Sequence, residues 1–267
     1  MPTVSDVYEY LKAIAPEEMA IKNDNVGFLI GTSETSVSKI LISLDVTNDV
    51  VTEALDIGAQ LIVAHHPILH SISSVTDTDV IGKKIVRLLS GGISAICMHT
   101  NLDAARDGVN DTLAVAAGIA DNCRYAAPLT DNIRLPDGEV VSLGRVGYLE
   151  KEMTMHEYMG KLKTTFKTNG IRFYNAGHNV NKVAVSAGSG GIEWENVLKS
   201  GCDTFVTGEV KYHLFLEAKE LGINLIEGDH FCTENLVTDV LARKLGVVFS
   251  DIEVIISTVH KQTIEFF

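Results

Sequence analysis

The sequence predicts an α/β protein made of two similar lobes with largely parallel sheets. Three observations carry that expectation. Short β-branched runs alternate with amphipathic stretches, the plan of the first half recurs in the second, and 267 residues with 46% hydrophobic content are enough to bury such a core. In order, the first half reads KILISLD (39–45), the helix NDVVTEALDIG, QLIVAHHP (60–67), the helix VIGKKIVRLLSGG and ISAICMHT (93–100). This is a βαβαβ pattern whose strands lack polar alternation, as expected of a sheet covered on both faces. The second half reads NKVAVSAG (181–188), the helix WENVLKSG, CDTFVTGE (202–209), the helix YHLFLEAKELG and INLIEGDH (223–230). The helix NLVTDVLARKLG and a last strand, IEVIIST, follow.

Between the halves come turn signals, including Pro136-Asp137-Gly138, then a strand (VSLGRVGYL), a helix (TMHEYMGKLKTTF) and another strand (IRFYNAG). The join is expected near 121–140, dividing the chain into a first lobe, 1–125, and a second, 126–267. Cys97, Cys123, Cys202 and Cys232 form no Cys-x-x-Cys pair, so reduced thiols are expected. No apolar run approaches the ~18 residues of a membrane span, and the acidic start resembles no signal peptide. A soluble, cytoplasmic protein with no membrane partner is therefore expected. The net charge of −13 disfavours nucleic acid but attracts cations.

In open parallel sheets, ligands bind beyond the carboxyl ends of the strands. Those positions here are metal-competent. His65 and His66 follow QLIVA; His99 and Asp103 follow ISAIC; Asp229, His230 and Glu234 follow INLIEG. A single histidine after a strand is more often a surface or capping residue than a ligand, and it is the convergence of three such strand ends that points to metal. Neighbouring histidines in an extended segment point to opposite sides, which suits two ions better than one. His230 and Glu234, four residues apart at the start of NLVTDVLARKLG, would share a helical face, and a carboxylate there can bridge two metals. Imidazole and carboxylate donors without thiolate fit Zn, Fe, Mn or a similar divalent ion.

Taken together, AHHP, HTNLDAA and GDHFCTE, with NDNVG near the start and TGEVKYH in the second half, resemble the Nif-three-like family, also known as type 2 GTP cyclohydrolase homologues. The resemblance spans essentially the whole chain. It implies two α/β domains, two divalent metal ions in the cleft between them, and a ring-shaped homohexamer. Matched motif to motif, it implies His65, His66, Asp103, His230 and Glu234 as ligands, with His99 a further ligand or a hydrogen-bonding neighbour of one. The implied activity is hydrolysis of a nucleotide or phosphoester, with GTP ring opening as one form. The alternative is a non-catalytic metal-binding or interaction scaffold. Asn23 stands where the family commonly has Trp, and the chain is too short to hold the inserted domain of long members.

Other positions carry weaker signals. The turn Ser186, Ala187, Gly188, Ser189, Gly190 and Gly191 can offer N–H groups to a phosphate, but lacks the Lys of a P-loop and serves equally as a tight turn. Asp24, Thr207, Glu209 and His213 are polar residues near strand ends, and His213 is the candidate proton donor or acceptor, against a bland reading as a helix-surface residue. Met153, Met155 and Trp194 read as packing residues; His70, His156, His178 and His260 show no partner pattern.

Overall fold

The computed structural model describes residues 1–69, 74–120, 126–130, 133–135, 138 and 140–267. Its first elements are α1 (Val4–Ile14), β1 (Gly27–Ile30), β2 (Lys39–Ser43), α2 (Asn48–Asp56), β3 (Leu61–Ala64), α3 (Val80–Ser90), β4 (Ser94–Cys97) and α4 (Thr100–Ala104). Then come α5 (Val109–Ala117), β5 (Ala127–Pro128), a small hairpin of β6 (Ile133–Arg134) and β7 (Val140–Val141), β8 (Arg145–Met153), α6 (Met155–Phe166), β9 (Arg172–Tyr174) and β10 (Val180–Ser186). The chain ends with α7 (Trp194–Ser200), β11 (Thr204–Thr207), α8 (Tyr212–Leu221), β12 (Asn224–Glu227), α9 (His230–Glu234), α10 (Val237–Val248) and β13 (Glu253–Ile256).

Local chemistry sets the helix starts. Thr3 and Asp6 form a reciprocal capping box on α1, as do Thr154 and Glu157 on α6. Thr47 and Asp79 each accept a first-turn N–H at the start of α2 and α3. Gly118, Gly201 and Gly222 end α5, α7 and α8 in the left-handed region, where a side chain would be strained.

The chain divides into two compact units. Unit 1 comprises residues 1–102 and 237–261; unit 2 comprises 103–236 and 262–267. The sheet of unit 1 has the order β1-β4-β3-β2-β13, with β2, β3, β4 and β13 mutually parallel and β1 antiparallel at the edge. The sheet of unit 2 has the order β5-β8-β10-β11-β12-β9; β10, β11 and β12 are parallel, and β5, β8 and β9 run antiparallel to their neighbours. Each has a parallel centre; antiparallel strands flank it on one side in unit 1 and on both sides in unit 2.

This division differs from the expected 125/126 boundary in two respects. The first crossing lies inside α4, just before Asp103, and the C-terminal helix and strand return to unit 1. The strand IEVIIST therefore joins the first sheet, where Val254 pairs with Ile40 and Ile255 with Leu41. Local pattern identifies it as a strand; its partner is set by which sheet edge lies open.

The parallel strands are covered on both faces, as their continuous apolar runs require. In unit 2, Val183, Val185, Val206 and Ile226 pack into one core with Tyr158, Leu162 and Phe166 of α6. The alternate residues Ala184, Phe205 and Leu225 pack into another with Trp194, Val197 and Leu214. In unit 1, Leu41, Ile62 and Ala95 pack against Val50, Val51, Ile85 and Leu88 from α2 and α3. A fully buried Leu, Ile or Phe contributes about 1.5–3 kcal/mol of burial free energy, so these layers hold the strand ends in register.

Candidate metal centre

Unit 1 brings its histidines together at one edge of its sheet. Ser43, Ala64 and Cys97 pair in register, so β2, β3 and β4 finish level. Just beyond them lie Asp45, the pair His65 and His66, and His99. The backbone N–H groups of His65 and His66 both donate to the Leu44 carbonyl, at 3.1 and 2.9 Å, which fixes the pair against the end of β2. Ring centroids are 4.9 Å apart for His65 and His66, 5.2 Å for His65 and His99, and 5.5 Å for His66 and His99. Each offers a ring nitrogen, and the three lie within 4.8 Å of one another.

Each ring is aimed through Nδ1. His65, fully buried, donates to the Met98 carbonyl at 2.7 Å. His66 Nδ1 lies 2.8 Å from Asp45 Oδ1, and His99 Nδ1 lies 2.8 Å from Asp24 Oδ1. A carbonyl or carboxylate oxygen only accepts, so the hydrogen sits on Nδ1, and in the neutral ring the lone pair sits on Nε2. Metal-binding histidines are oriented in this way. Asp45 Oδ2 also accepts from His260 Nε2 at 2.8 Å, which corrects the expectation that His260 has no partner.

Asp24 comes from the NDNVG segment, and also accepts from the backbone and hydroxyl of Thr100. For Asp24 and Asp45 burial alone would raise the carboxyl pKa. Hydrogen bonds and charge from the imidazoles, and from Thr100 at Asp24, outweigh it and hold both well below the ordinary carboxylate range.

Unit 2 supplies a second donor pair. His230 and Glu234 form the short helix α9, separate from α10, and not the start of one long helix as the sequence suggested. Asp229 caps α9 by accepting from Cys232 N at 3.1 Å and takes φ +78°, an uncommon conformation that turns the chain sharply into His230. The four-residue spacing still places both side chains together, with His230 Nε2 3.1 Å from Glu234 Oε2. His230 Nδ1 is oriented by Glu209 Oε2 at 3.1 Å, and the same oxygen accepts from Ser189 Oγ at 3.1 Å. The His230 hydrogen bond is the main cause holding the Glu209 carboxyl below its ordinary range.

The glycine-rich turn after β10 has a steric role. Gly188, at φ +57°, lies so close to Glu234 that a Cβ would come within 1.9 Å of its Oε1 and 3.2 Å of His230 Nε2. Its N–H donates to Thr233 Oγ1 at 3.2 Å, and Thr207 Oγ1 donates to its carbonyl at 3.4 Å. Gly188 therefore belongs to the wall behind the His230 and Glu234 pair.

The model of the Duf34/NIF3 (NGG1p interacting factor 3) family matches residues 2–263. The chain belongs to the Duf34/NIF3 family. A relative from Clostridium perfringens, named GTP cyclohydrolase 1 type 2 homolog, is 33% identical over 98% of this chain and 99% of its own length. One of the same name from Clostridium acetobutylicum is 33% identical over 91% and 89%. Among solved structures, the Staphylococcus aureus hypothetical protein SA1388 superposes with a TM-score of 0.90 at 26% identity, covering both chains completely. Reduced HcgD from Methanocaldococcus jannaschii gives 0.80 at 27% identity, over 95% of this chain and 97% of its own.

Other expected positions of this Duf34/NIF3 chain lie as follows. His213 is exposed on the first turn of α8 and belongs to none of the donor groups among the described residues. His156 is exposed on α6, and His178 is held between the Asn179 and Gly222 carbonyls at 2.9 Å each. Trp194 is buried on Phe205, with its Nε1–H donating to Glu217 at 2.8 Å. Met155 is core and Met153 packs against it. His70, Cys123 and Pro136-Asp137 lie outside the described residues. Asp45 was missed by the sequence reading, although it follows a strand end as the histidines do and the same rule would have found it.

Proposed function

We propose that this Duf34/NIF3 protein holds two divalent metal ions through His65, His66, Asp103, His230 and Glu234, with His99 beside them, and that it is a metal-dependent hydrolase of a nucleotide or phosphoester. The observation that carries the reading is the common orientation of four imidazoles, each anchored through Nδ1 to a carbonyl or carboxylate. Ligand histidines gain basicity and a fixed direction from such anchoring. The donors are nitrogen and oxygen. The thiols of Cys97 and Cys232 are buried and pushed up to about 12 by that burial, so they are protonated at neutral pH. That donor chemistry accommodates Zn, Fe, Mn or a similar ion.

Divalent ions in such a site supply Lewis acidity toward a carbonyl or phosphoryl oxygen and activate water at neutral pH. The chain's own groups do the rest. Met98, Asp45, Asp24 and Glu209 keep the imidazoles pointed, and Glu234 offers negative charge to the cations. The names of the Clostridium relatives favour a nucleotide such as GTP, and the family resemblance supports a homohexamer.

Elemental analysis after reconstitution with Zn²⁺, Mn²⁺ or Fe²⁺ tests the reading, with two ions per chain expected; one or none would remove the dinuclear arrangement. The same preparations are then assayed against a panel of nucleotides and phosphoesters, where turnover that a chelator abolishes is expected. Fully metallated protein that hydrolyses none of them would favour a metal-binding scaffold.

A further inference from the structure

We propose that Asn110 is a positioning residue that couples two of the metal ligands, Asp103 and Glu234, by holding the main chain behind each. The inference rests on the metal-centre reading above and extends it to a side chain that donates to no ion. Asn110 stands in the first turn of α5 and is 1% exposed, which is unusual for a helix-start amide facing the interior. Its Nδ2 donates to the Asp103 carbonyl at 3.1 Å, and its Oδ1 accepts from the Ala187 N–H at 2.9 Å.

The two contacts lead to the chain behind two different proposed ligands. The Asp103 carbonyl belongs to the residue whose carboxylate is the proposed ligand. The Ala187 N–H precedes Gly188, whose Cα lies against the Glu234 carboxylate so tightly that no Cβ fits. One planar amide thus sets the spacing between the end of α4 and the turn after β10. Two partners of opposite kind, an acceptor and a donor, fix which way the amide points.

Further bonds show that both segments are clamped. The Arg145 guanidinium, paired with Asp111, donates to the carbonyls of Ala104 and Ala105 at 3.1 and 3.4 Å. Thr233 and Thr207, both fully buried, hold Gly188 from its other side. Asn110 is the element that joins the two clamps. Aspartate there keeps the size but offers only acceptors, setting a lone pair against the Asp103 carbonyl; alanine removes both contacts.

The test compares wild type with Asn110→Ala and Asn110→Asp by Zn²⁺ affinity in chelator competition and by the visible absorption spectrum of the Co²⁺-loaded protein. Tyr158→Phe is the control. It deletes one buried hydrogen bond in the same unit, from the Tyr158 hydroxyl to the Ala117 carbonyl at 3.0 Å, away from the ligands. Both Asn110 variants should fold, bind Zn²⁺ about 10–100-fold more weakly, and shift the Co²⁺ bands, while Tyr158→Phe matches wild type in affinity and spectrum. Folded Asn110 variants with wild-type affinity and spectrum would overturn the proposal. So would failure of both to fold, because the role would then be general stability. A wild type that binds neither Zn²⁺ nor Co²⁺ would sink the metal-centre reading itself, whereas tight wild-type binding unchanged in the variants sinks only this inference.

Discussion

Aiming an imidazole takes one acceptor on the ring's far side, and the acceptors here are not equivalent. Met98 offers a neutral carbonyl to His65, while Asp45 serves two rings at once, His66 and His260. The two rings use different oxygens, and Asn at position 45 puts an NH2 donor in place of one of them, facing a ring N–H. Asp45→Asn is therefore expected to weaken metal binding about 10–100-fold with the far-ultraviolet circular dichroism unchanged; unaltered affinity would show that packing alone orients the rings. A second residue-scale prediction separates strain from obstruction. Gly201 ends α7 at φ +62° with nothing within 4 Å of its would-be Cβ, whereas Gly188 has a similar φ and Glu234 in the way. Gly201→Ala is expected to lose about 1–2 kcal/mol of stability and keep its metal. Gly188→Ala is expected to lose metal as well, and equal metal content in the two variants would refute the steric role.

At the scale of elements, β13 and the segment after it are fastened to α2. Glu53 accepts from the Ser257 hydroxyl at 2.5 Å and from the Thr258 N–H and hydroxyl at 2.9 and 2.8 Å. Partial burial alone would raise its pKa; these hydrogen bonds outweigh burial and leave it lowered. A carboxyl with a depressed folded-state pKa stabilises above its unfolded value, and that contribution fades as pH falls through the folded value. Glu53→Gln should thus cost about 1 kcal/mol in urea unfolding at pH 7, with the gap to wild type closing below pH ~4. A gap that does not change with pH would mean the bonds owe nothing to charge. The helix α9 shows the opposite dependence on context. Five residues are too few to be stable alone, so the Asp229 cap and the packing of Cys232 and Thr233 must hold His230 and Glu234 in place.

For the whole molecule, the charge of −13 over 267 residues draws cations and disfavours polyanions. No helix among the described residues is long and apolar enough to cross a membrane. The chain passes from unit 1 to unit 2 and back, so neither unit is a single continuous segment. A cut near 125/126 should therefore yield no pair of independently stable halves, since 237–261 would be parted from the sheet it completes. The proposed homohexamer predicts a light-scattering mass six times the 28.9 kDa chain; a stable monomer at micromolar concentration would refute it.

Much of this was legible in the sequence because it depends on local pattern. Continuous apolar runs marked the parallel strands, and the rule that function collects beyond their carboxyl ends picked out His65, His66, His99, His230 and Glu234. The family motifs agreed with them. Partnership was not legible, because hydrogen bonds between distant segments leave no periodic trace. Asp24 meets His99 across 75 residues, His260 meets Asp45 across 215, and Asn110 meets Ala187 across 77. The same holds for β13, recognisable as a strand from its own residues yet assigned to the first sheet only by the open edge of β2. Side-chain chemistry in the sequence therefore determined which donor groups this protein carries, while the packing of its sheets decided which groups stand behind each donor and hold it still.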